Sequence, residues 1–333
     1  MTKKIAPFLE KYELILFDMD GVITSEQRYW DAAALSVYEL LNDRVGLSAE
    51  YLTENVGKIR KKLFCGDKTI SVLKERGVNS NWDLTYIVLA VAMMLNINDD
   101  FESVYDYIVN KDLNALEMYE FLGEHSPAGL RGGELYNEGI KCFQGWYLGD
   151  EMFTEITGEA PKLCGKKGLM AGEIPILPVE QMHEVIKTLY DAGKTIGIGT
   201  GRIYYEILEP LKNWGIMEYF DSKRCITYSD VQSAEETLGN VTLTKPHPYM
   251  FLKGMLGCDY SDEKIVAGEY SRDLISKTLV VGDAGADILA AKAVGMPFAA
   301  VLTGVSGEGA RGYFEEQKAD YIFSSIADFV VEV

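Results

Sequence analysis

The stretch LILFDMDGVITSE, Leu14 to Glu26, decides how the chain is read. Four apolar residues, Leu14 to Phe17, run without polar alternation into Asp18; Asp20 follows two positions on, and Gly21 opens a turn. An uninterrupted apolar run suits a strand covered on both faces, as in a parallel sheet. Open α/β sheets place their ligands at the carboxyl ends of such strands. Two acids beside a glycine at that place are hard to account for by packing. On residue chemistry, Asp18 reads as a nucleophile and metal ligand, and Asp20 as its acid/base partner.

Outward from this strand, the C-terminal half alternates strand and helix. Val179 to Ala192 has helical periodicity, and Thr195 to Gly199 is a short apolar strand ending at Thr200. Ile203 to Trp214 predicts a helix, Cys225 to Tyr228 a strand and Tyr249 to Leu256 a helix. Thr278 to Val281 predicts a strand ending at Gly282-Asp283, Ala286 to Val294 a helix, and Phe298 to Leu302 and Tyr321 to Phe323 two last strands. Strands separated by helices imply βαβ units and a parallel sheet.

Between the first strand and this half the texture is helical. Gln27 to Asp43 carries Trp30, Ala33, Ala34, Val37, Leu40 and Leu41 at three- and four-residue spacing. Trp82 to Leu95 is apolar almost all round, which predicts a buried helix at the centre of a bundle, and Phe101 to Leu122 predicts one amphipathic helix. From Gly123 to Pro178 glycine and proline signal loops with short structure between them. The fold class expected is therefore α/β: a Rossmann-like parallel-sheet core, residues 1–26 and 172–333, with a large, mainly α-helical insertion after the first strand, residues 27–171.

With 333 residues the chain exceeds the roughly 250–300 at which one core stops growing, so two domains are expected. A net charge of −19 argues against nucleic acid as a partner, because phosphate backbones demand a basic footprint. It leaves room for a small phosphorylated substrate, which needs only local positive charge. Five dispersed cysteines without a C-x-x-C pair, and only three histidines, give a zinc or iron–sulfur site little to build on and suit a reducing cytosol. The opening MTKKIAPFLEKYE is too charged for a signal peptide, and the longest apolar run, Ile87 to Leu95, is far short of a bilayer span. A cytoplasmic protein with no membrane partner is expected; the sequence is silent on oligomeric state.

Three further stretches carry chemistry. In TIGIGTGR, Thr200 follows a strand and Gly201 lets backbone amides approach a ligand, which makes a phosphate cradle; a threonine N-cap is the plainer alternative. In LTKPHP, Pro246 biases Lys245 toward an extended conformation, so its cation is either aimed at the site or lies on the surface; His247 reads as a turn residue. In LVVGDAGADILAAK, Asp283 ends an apolar strand and Asp287 lies four residues on, near a helix start. Such carboxylates suit a hard divalent cation such as Mg²⁺, although Asp287 could merely complement the helix dipole.

Taken in order, DxDG, the strand-end threonine, the lysine and GD-x-x-x-D resemble the four motifs of the haloacid dehalogenase-like (HAD) superfamily, most of whose members are Mg²⁺-dependent phosphatases. The resemblance implies phosphoryl transfer through an aspartyl-phosphate on Asp18. Mg²⁺ would be held by Asp18, the Asp20 backbone carbonyl and Asp283, with Asp287 orienting a metal-bound water or Lys245. Thr200, the Gly201 amide and Lys245 would hold phosphoryl oxygens, while Asp20 serves as acid and then base. An acid at position 20 sets the chain apart from the dehalogenase branch.

The short span from Thr200 to Lys245 leaves no room for a second cap, so the helical insertion corresponds to a C1 cap. Phosphoglycolate phosphatases and β-phosphoglucomutases share that architecture, though the insertion here is longer than theirs. Such a cap would close over the site and choose the leaving group. Within it, SPAGLRGGE is a candidate specificity loop, with Arg131 either touching a second anionic group or solvated on a turn. Arg202 is likewise either a substrate contact or a helix-surface charge. The function expected is a phosphatase of a small phosphorylated metabolite; a phosphomutase of the β-phosphoglucomutase type and a non-catalytic binding protein are the alternatives.

Overall fold

The computed structural model describes residues 3–42, 44, 46–78 and 80–333. The chain divides into two compact units, Met1–Ser25 with Glu173–Val333, and Glu26–Gly172.

The first unit is built on a six-stranded parallel sheet. Its strands are β2 (Leu14–Phe17), β3 (Thr195–Gly199), β4 (Cys225–Ile226), β5 (Thr278–Gly282), β6 (Phe298–Val301) and β7 (Tyr321–Phe323), in the order β4-β3-β2-β5-β6-β7. Every residue of β2 is buried. Ile15 and Phe17 enter one apolar cluster with Met182, Ile186 and Leu211, while Leu14 and Leu16 enter another with Tyr249, Phe251 and Ile288. Successive side chains of a strand point to opposite faces, so an all-apolar strand needs helices on both, and it has them. Each such buried side chain is worth about 1.5–3 kcal/mol relative to exposure.

Two short strands lie outside the sequence reading: β1 (Lys3–Ile5) pairs antiparallel with β8 (Val330–Glu332), joining the two chain ends. The expected strand at Cys225 to Tyr228 stops at Ile226, because Thr227 accepts the start of a helix over Tyr228–Leu238.

The second unit is helical, and its core is one apolar cluster. The helix Asn81–Leu95 is buried from Asp83 to Ala92, as its apolar circumference requires. Gln27–Leu41 forms the expected first helix, and Asp43 of that reading falls outside the described residues. Two expectations need correction. Phe101 to Leu122 is two helices, Phe101–Lys111 and Ala115–His125: Asp112 turns left-handed (φ 49°), and Asn114 and Glu117 form a capping box that starts the second. The glycine-rich tract from Gly123 contains a 15-residue helix, Glu134–Leu148, which buries Cys142, Phe143, Trp146 and Tyr147. No helix among the described residues is long and apolar enough to cross a membrane.

Candidate active site

The central strands β3, β2 and β5 are hydrogen-bonded neighbours, with Phe17 opposite Ile198 on one side and Val281 on the other. Their carboxyl ends therefore coincide, and Asp18, Thr200 and Asp283 leave the sheet at one edge. The Asp18 backbone N–H donates to Val281 O at 2.9 Å, which carries the ladder one residue past the strand.

Lys245 reaches this edge from the segment before the helix Tyr249–Leu256. Its Nζ lies 2.8 Å from Asp18 Oδ1 and 2.7 Å from Asp287 Oδ1. Of the two readings of this lysine, the surface one is excluded: its side chain is 12% exposed and paired with two carboxylates. Asp287 also stands at the helix start, where its Oδ2 accepts the Ala284 N–H at 3.3 Å before the helix Gly285–Val294.

One carboxylate oxygen each from Asp18, Asp283 and Asp287 lie within 4.8 Å of one another. Two glycines make room for Asp283. A Cβ on Gly304 would stand 1.8 Å from Asp283 Oδ2, and one on Gly21, whose φ is +71°, would stand 2.2 Å from it. Thr303 donates its hydroxyl to the Gly21 carbonyl and ties the loop after β6 to the turn after β2. Neither Thr303 nor Gly304 stands out in the sequence; a small residue in a loop signals nothing until its neighbour is known. Three converging hard oxygen donors, with backbone cleared around one of them, fit a divalent cation.

The electrostatics agree. The Asp18 carboxyl is raised to about 7: burial pushes it up most, Lys245 pulls it down, and Asp287 and Asp20 push it up. Burial alone would lower the Lys245 ammonium, but Asp18 and Asp287 outweigh it and raise it. A cation among the three acids would relieve the repulsion that a single ammonium offsets only in part.

Asp20 and Thr200 are joined through Arg202. Arg202 Nη2 lies 2.6 Å from Asp20 Oδ1, Nε lies 3.2 Å from both Asp20 oxygens, and Nη1 lies 3.0 Å from Glu173 Oε2. The Thr200 hydroxyl oxygen accepts the Arg202 backbone N–H at 3.2 Å, and Thr200 is not the cap of the next helix, which begins at Tyr204 with Ile203 before it. The reading of Arg202 as a helix-surface charge is thus corrected: the side chain is 1% exposed and taken up by two carboxylates. Around Gly201 the space a Cβ would occupy is open.

Arg131 belongs to the helical unit. Its Nε and Nη2 fork onto Asp83 at 2.7 and 3.1 Å, Tyr136 and Tyr119 donate hydroxyls to the same carboxylate at 2.8 and 3.1 Å, and its guanidinium lies over both rings. Arg131 does lie on a turn, with its side chain 48% exposed, but its guanidinium is held by Asp83. Burial, reinforced by Asp83, raises both tyrosines.

Comparison with known proteins agrees with this geometry. Residues 12–295 match the family model for haloacid dehalogenase-like hydrolases. Pyrophosphatase PpaX of Halalkalibacterium halodurans is 28% identical over 153 residues, 46% of this chain, and the chain spans only 58% of that relative's length. The X-ray structure of Northeast Structural Genomics Consortium target ZR25 superposes with a TM-score of 0.79 at 29% identity, covering 95% of this chain and 97% of that one. With the sheet order, three of the four motifs at the carboxyl ends of its strands and Lys245 brought to the same edge, and a family match over most of its length, the chain belongs to the haloacid dehalogenase-like hydrolases.

Proposed function

We propose that the protein is a Mg²⁺-dependent phosphatase acting on a small phosphorylated metabolite, with the helical unit as its cap. The observation that carries this reading is Lys245, held between Asp18 and Asp287 beside Asp283: an ammonium and three acids, the donors that a cation and a phosphoryl group require. Asp18, Asp283 and Asp287, with the Asp20 backbone carbonyl, would hold Mg²⁺, which would supply charge neutralisation for a dianionic ester.

This chain's own residues divide the remaining work. An Asp18 carboxylate oxygen forms the bond to phosphorus as the P–O bond to the leaving group breaks. The electron pair departs with that oxygen, which takes a proton from Asp20. Asp20, now a carboxylate, takes a proton from water; the oxygen so activated bonds to phosphorus and the electron pair returns to Asp18. Lys245, the Thr200 hydroxyl and the Gly201 amide hold the non-bridging oxygens, positioning that such reactions depend on.

The test is phosphate release across sugar phosphates, phosphoglycolate, nucleotides, phosphonates and, given the PpaX relative, pyrophosphate, each with Mg²⁺ and with EDTA. Release from one class that EDTA abolishes and Mg²⁺ restores is expected. Silence across the panel overturns the reading. A trapped phosphoenzyme that persists until a sugar phosphate is added identifies a mutase instead.

A further inference from the structure

The geometry points to Arg202 and Glu173 as a positioning pair that fixes which oxygen of Asp20 serves the leaving group; this rests on the phosphatase reading above. Asp20 Oδ1 takes the shorter arm of the guanidinium, Nη2 at 2.6 Å, together with Nε at 3.2 Å, and Thr24 Oγ1 stands 3.4 Å away. Among the described residues, Oδ2 takes the shared Nε contact alone, at 3.2 Å. One oxygen is therefore engaged by the fork, and the other is the one left to carry a proton toward substrate. The Asp20 side chain is 25% exposed while the arginine that grips it is 1% exposed, so the rigid partner is the arginine.

Arg202 is itself fixed at every end. Its backbone N–H donates to Thr200 Oγ1, and its carbonyl accepts the Tyr228 N–H at 2.8 Å. Nη1 holds the 2%-exposed Glu173 side chain at 3.0 Å and touches the Glu206 carbonyl at 3.4 Å. Glu173 opens the segment that returns from the helical unit. That segment is hydrogen-bonded to the outgoing one, Ser25 N–H to Ile174 O at 2.8 Å and Ile176 N–H to Ile23 O at 2.9 Å. Asp20 is thus set from two sides: through the backbone of its own turn and through a guanidinium anchored on the returning segment.

A buried ion pair is weak ground for stability, since desolvation offsets most of the Coulombic gain, but a planar five-donor fork is well suited to specifying orientation. The step it serves is the one in which the P–O bond breaks, its electron pair stays on the leaving oxygen, and the Asp20 proton moves to that oxygen. An ester whose leaving group departs as a stable anion, such as p-nitrophenyl phosphate, does not need that proton; an alkyl phosphate does.

The experiment compares R202M, R202K and E173Q with wild type on an alkyl phosphate and on p-nitrophenyl phosphate, following both steady-state turnover and the rate of phosphoenzyme formation. For R202M, kcat on the alkyl ester falls about 10²-fold with KM within about twofold, whereas phosphoenzyme formation from the aryl ester falls less than about fivefold. R202K, which keeps a charge and loses the fork, recovers only part of the loss, and E173Q shows the same pattern more weakly. Should R202M not fold, R202K and E173Q carry the comparison. Equal losses on both esters, or a raised KM with kcat unchanged, overturn the proposal, the latter making Arg202 a substrate contact. A crystal structure of R202M or R202K in which the Asp20 side chain keeps its wild-type rotamer overturns it too, whether or not any ester is turned over. Absence of phosphate release by wild type would instead sink the phosphatase reading, leaving the Asp20 rotamer to decide the positioning.

Discussion

Replacing Lys245 with methionine removes the one ammonium seated between Asp18 and Asp287 and keeps most of the side-chain volume. At an effective dielectric constant of about 20, each contact at 2.7–2.8 Å is worth roughly 6 kcal/mol of Coulombic attraction, and two carboxylate oxygens within 4.8 Å of each other repel by at least roughly 3.5 kcal/mol. Desolvation of the ammonium cancels much of the first figure, and breaking a buried ion pair by removing one partner costs about 3–5 kcal/mol. At roughly 2–4 °C per kcal/mol for a unit of this size, Tm in EDTA should fall by about 6–20 °C.

Two controls identify the cause as uncompensated charge. Mg²⁺ should restore part of the loss, because a ligand at 100 times its Kd adds about 2.7 kcal/mol to the state that binds it. Acid should restore another part. The Asp18 carboxyl sits at about 7 in the folded protein against an ordinary value of 3.8. Lys245 pulls that carboxyl down, so without it the folded protein holds the proton more tightly still; the extra cost of ionising Asp18 in K245M is present above about pH 7 and fades as pH falls below it. The wild-type minus K245M gap in Tm should accordingly narrow from pH 8 to pH 5 in EDTA. Differential scanning calorimetry at both pH values, with and without Mg²⁺, measures this. A K245M protein whose Tm in EDTA at pH 8 lies within a degree of wild type would refute the reasoning, because the acids would then need no cation.

Asp18→Asn should abolish phosphate release while leaving Tm in EDTA no lower than wild type, since a buried charge is lost with the nucleophile; retained turnover would remove Asp18 from that role. Gly304→Ala puts a methyl group where Asp283 Oδ2 now lies, so the Mg²⁺-induced rise in Tm should disappear while the far-UV spectrum is unchanged; an undiminished rise would place the cation elsewhere. Burial pushes the Cys142 and Cys225 thiols up to about 12, whereas Cys164 is exposed. Titration with a thiol reagent should label Cys164 fast and the other two only on unfolding. Arg131→Ala leaves Asp83 with the Tyr119 and Tyr136 hydroxyls but no counter-charge among the described residues, so Tm should fall while relative kcat/KM values across the substrate panel stay fixed; altered ratios would restore Arg131 as a substrate contact.

The site's main acids were legible because each ends or follows an apolar strand, and a carboxylate after Leu-Ile-Leu-Phe or Leu-Val-Val-Gly has no packing reason to be there. Lys245 was legible only in company: by itself it is one lysine among many, and only its place in the order of motifs singles it out. The errors have physical causes as well. Periodicity carried Phe101 to Leu122 through as one helix because Val104, Ile108 and Leu122 keep helical spacing, although Asn114 with Glu117 three residues on was a start signal in plain view. Glycine density hid the helix Glu134–Leu148, yet two of its glycines, Gly139 and Gly145, are buried, and a Cβ at Gly145 would stand 3.4 Å from the Lys166 ammonium. A Cβ at Gly139 would meet nothing within 4 Å; both glycines lie inside the helix, and neither marks a turn. Arg202 carries no such local signal. Its sequence neighbourhood allowed a ligand contact or a surface charge, and both assume that a guanidinium after a strand faces outward. What turns it inward is a pair of acids, Asp20 and Glu173, that come from the two segments crossing between the units. Local pattern identifies which residues stand at a strand's end; which partner a long charged side chain takes is settled by contacts that no window of sequence contains.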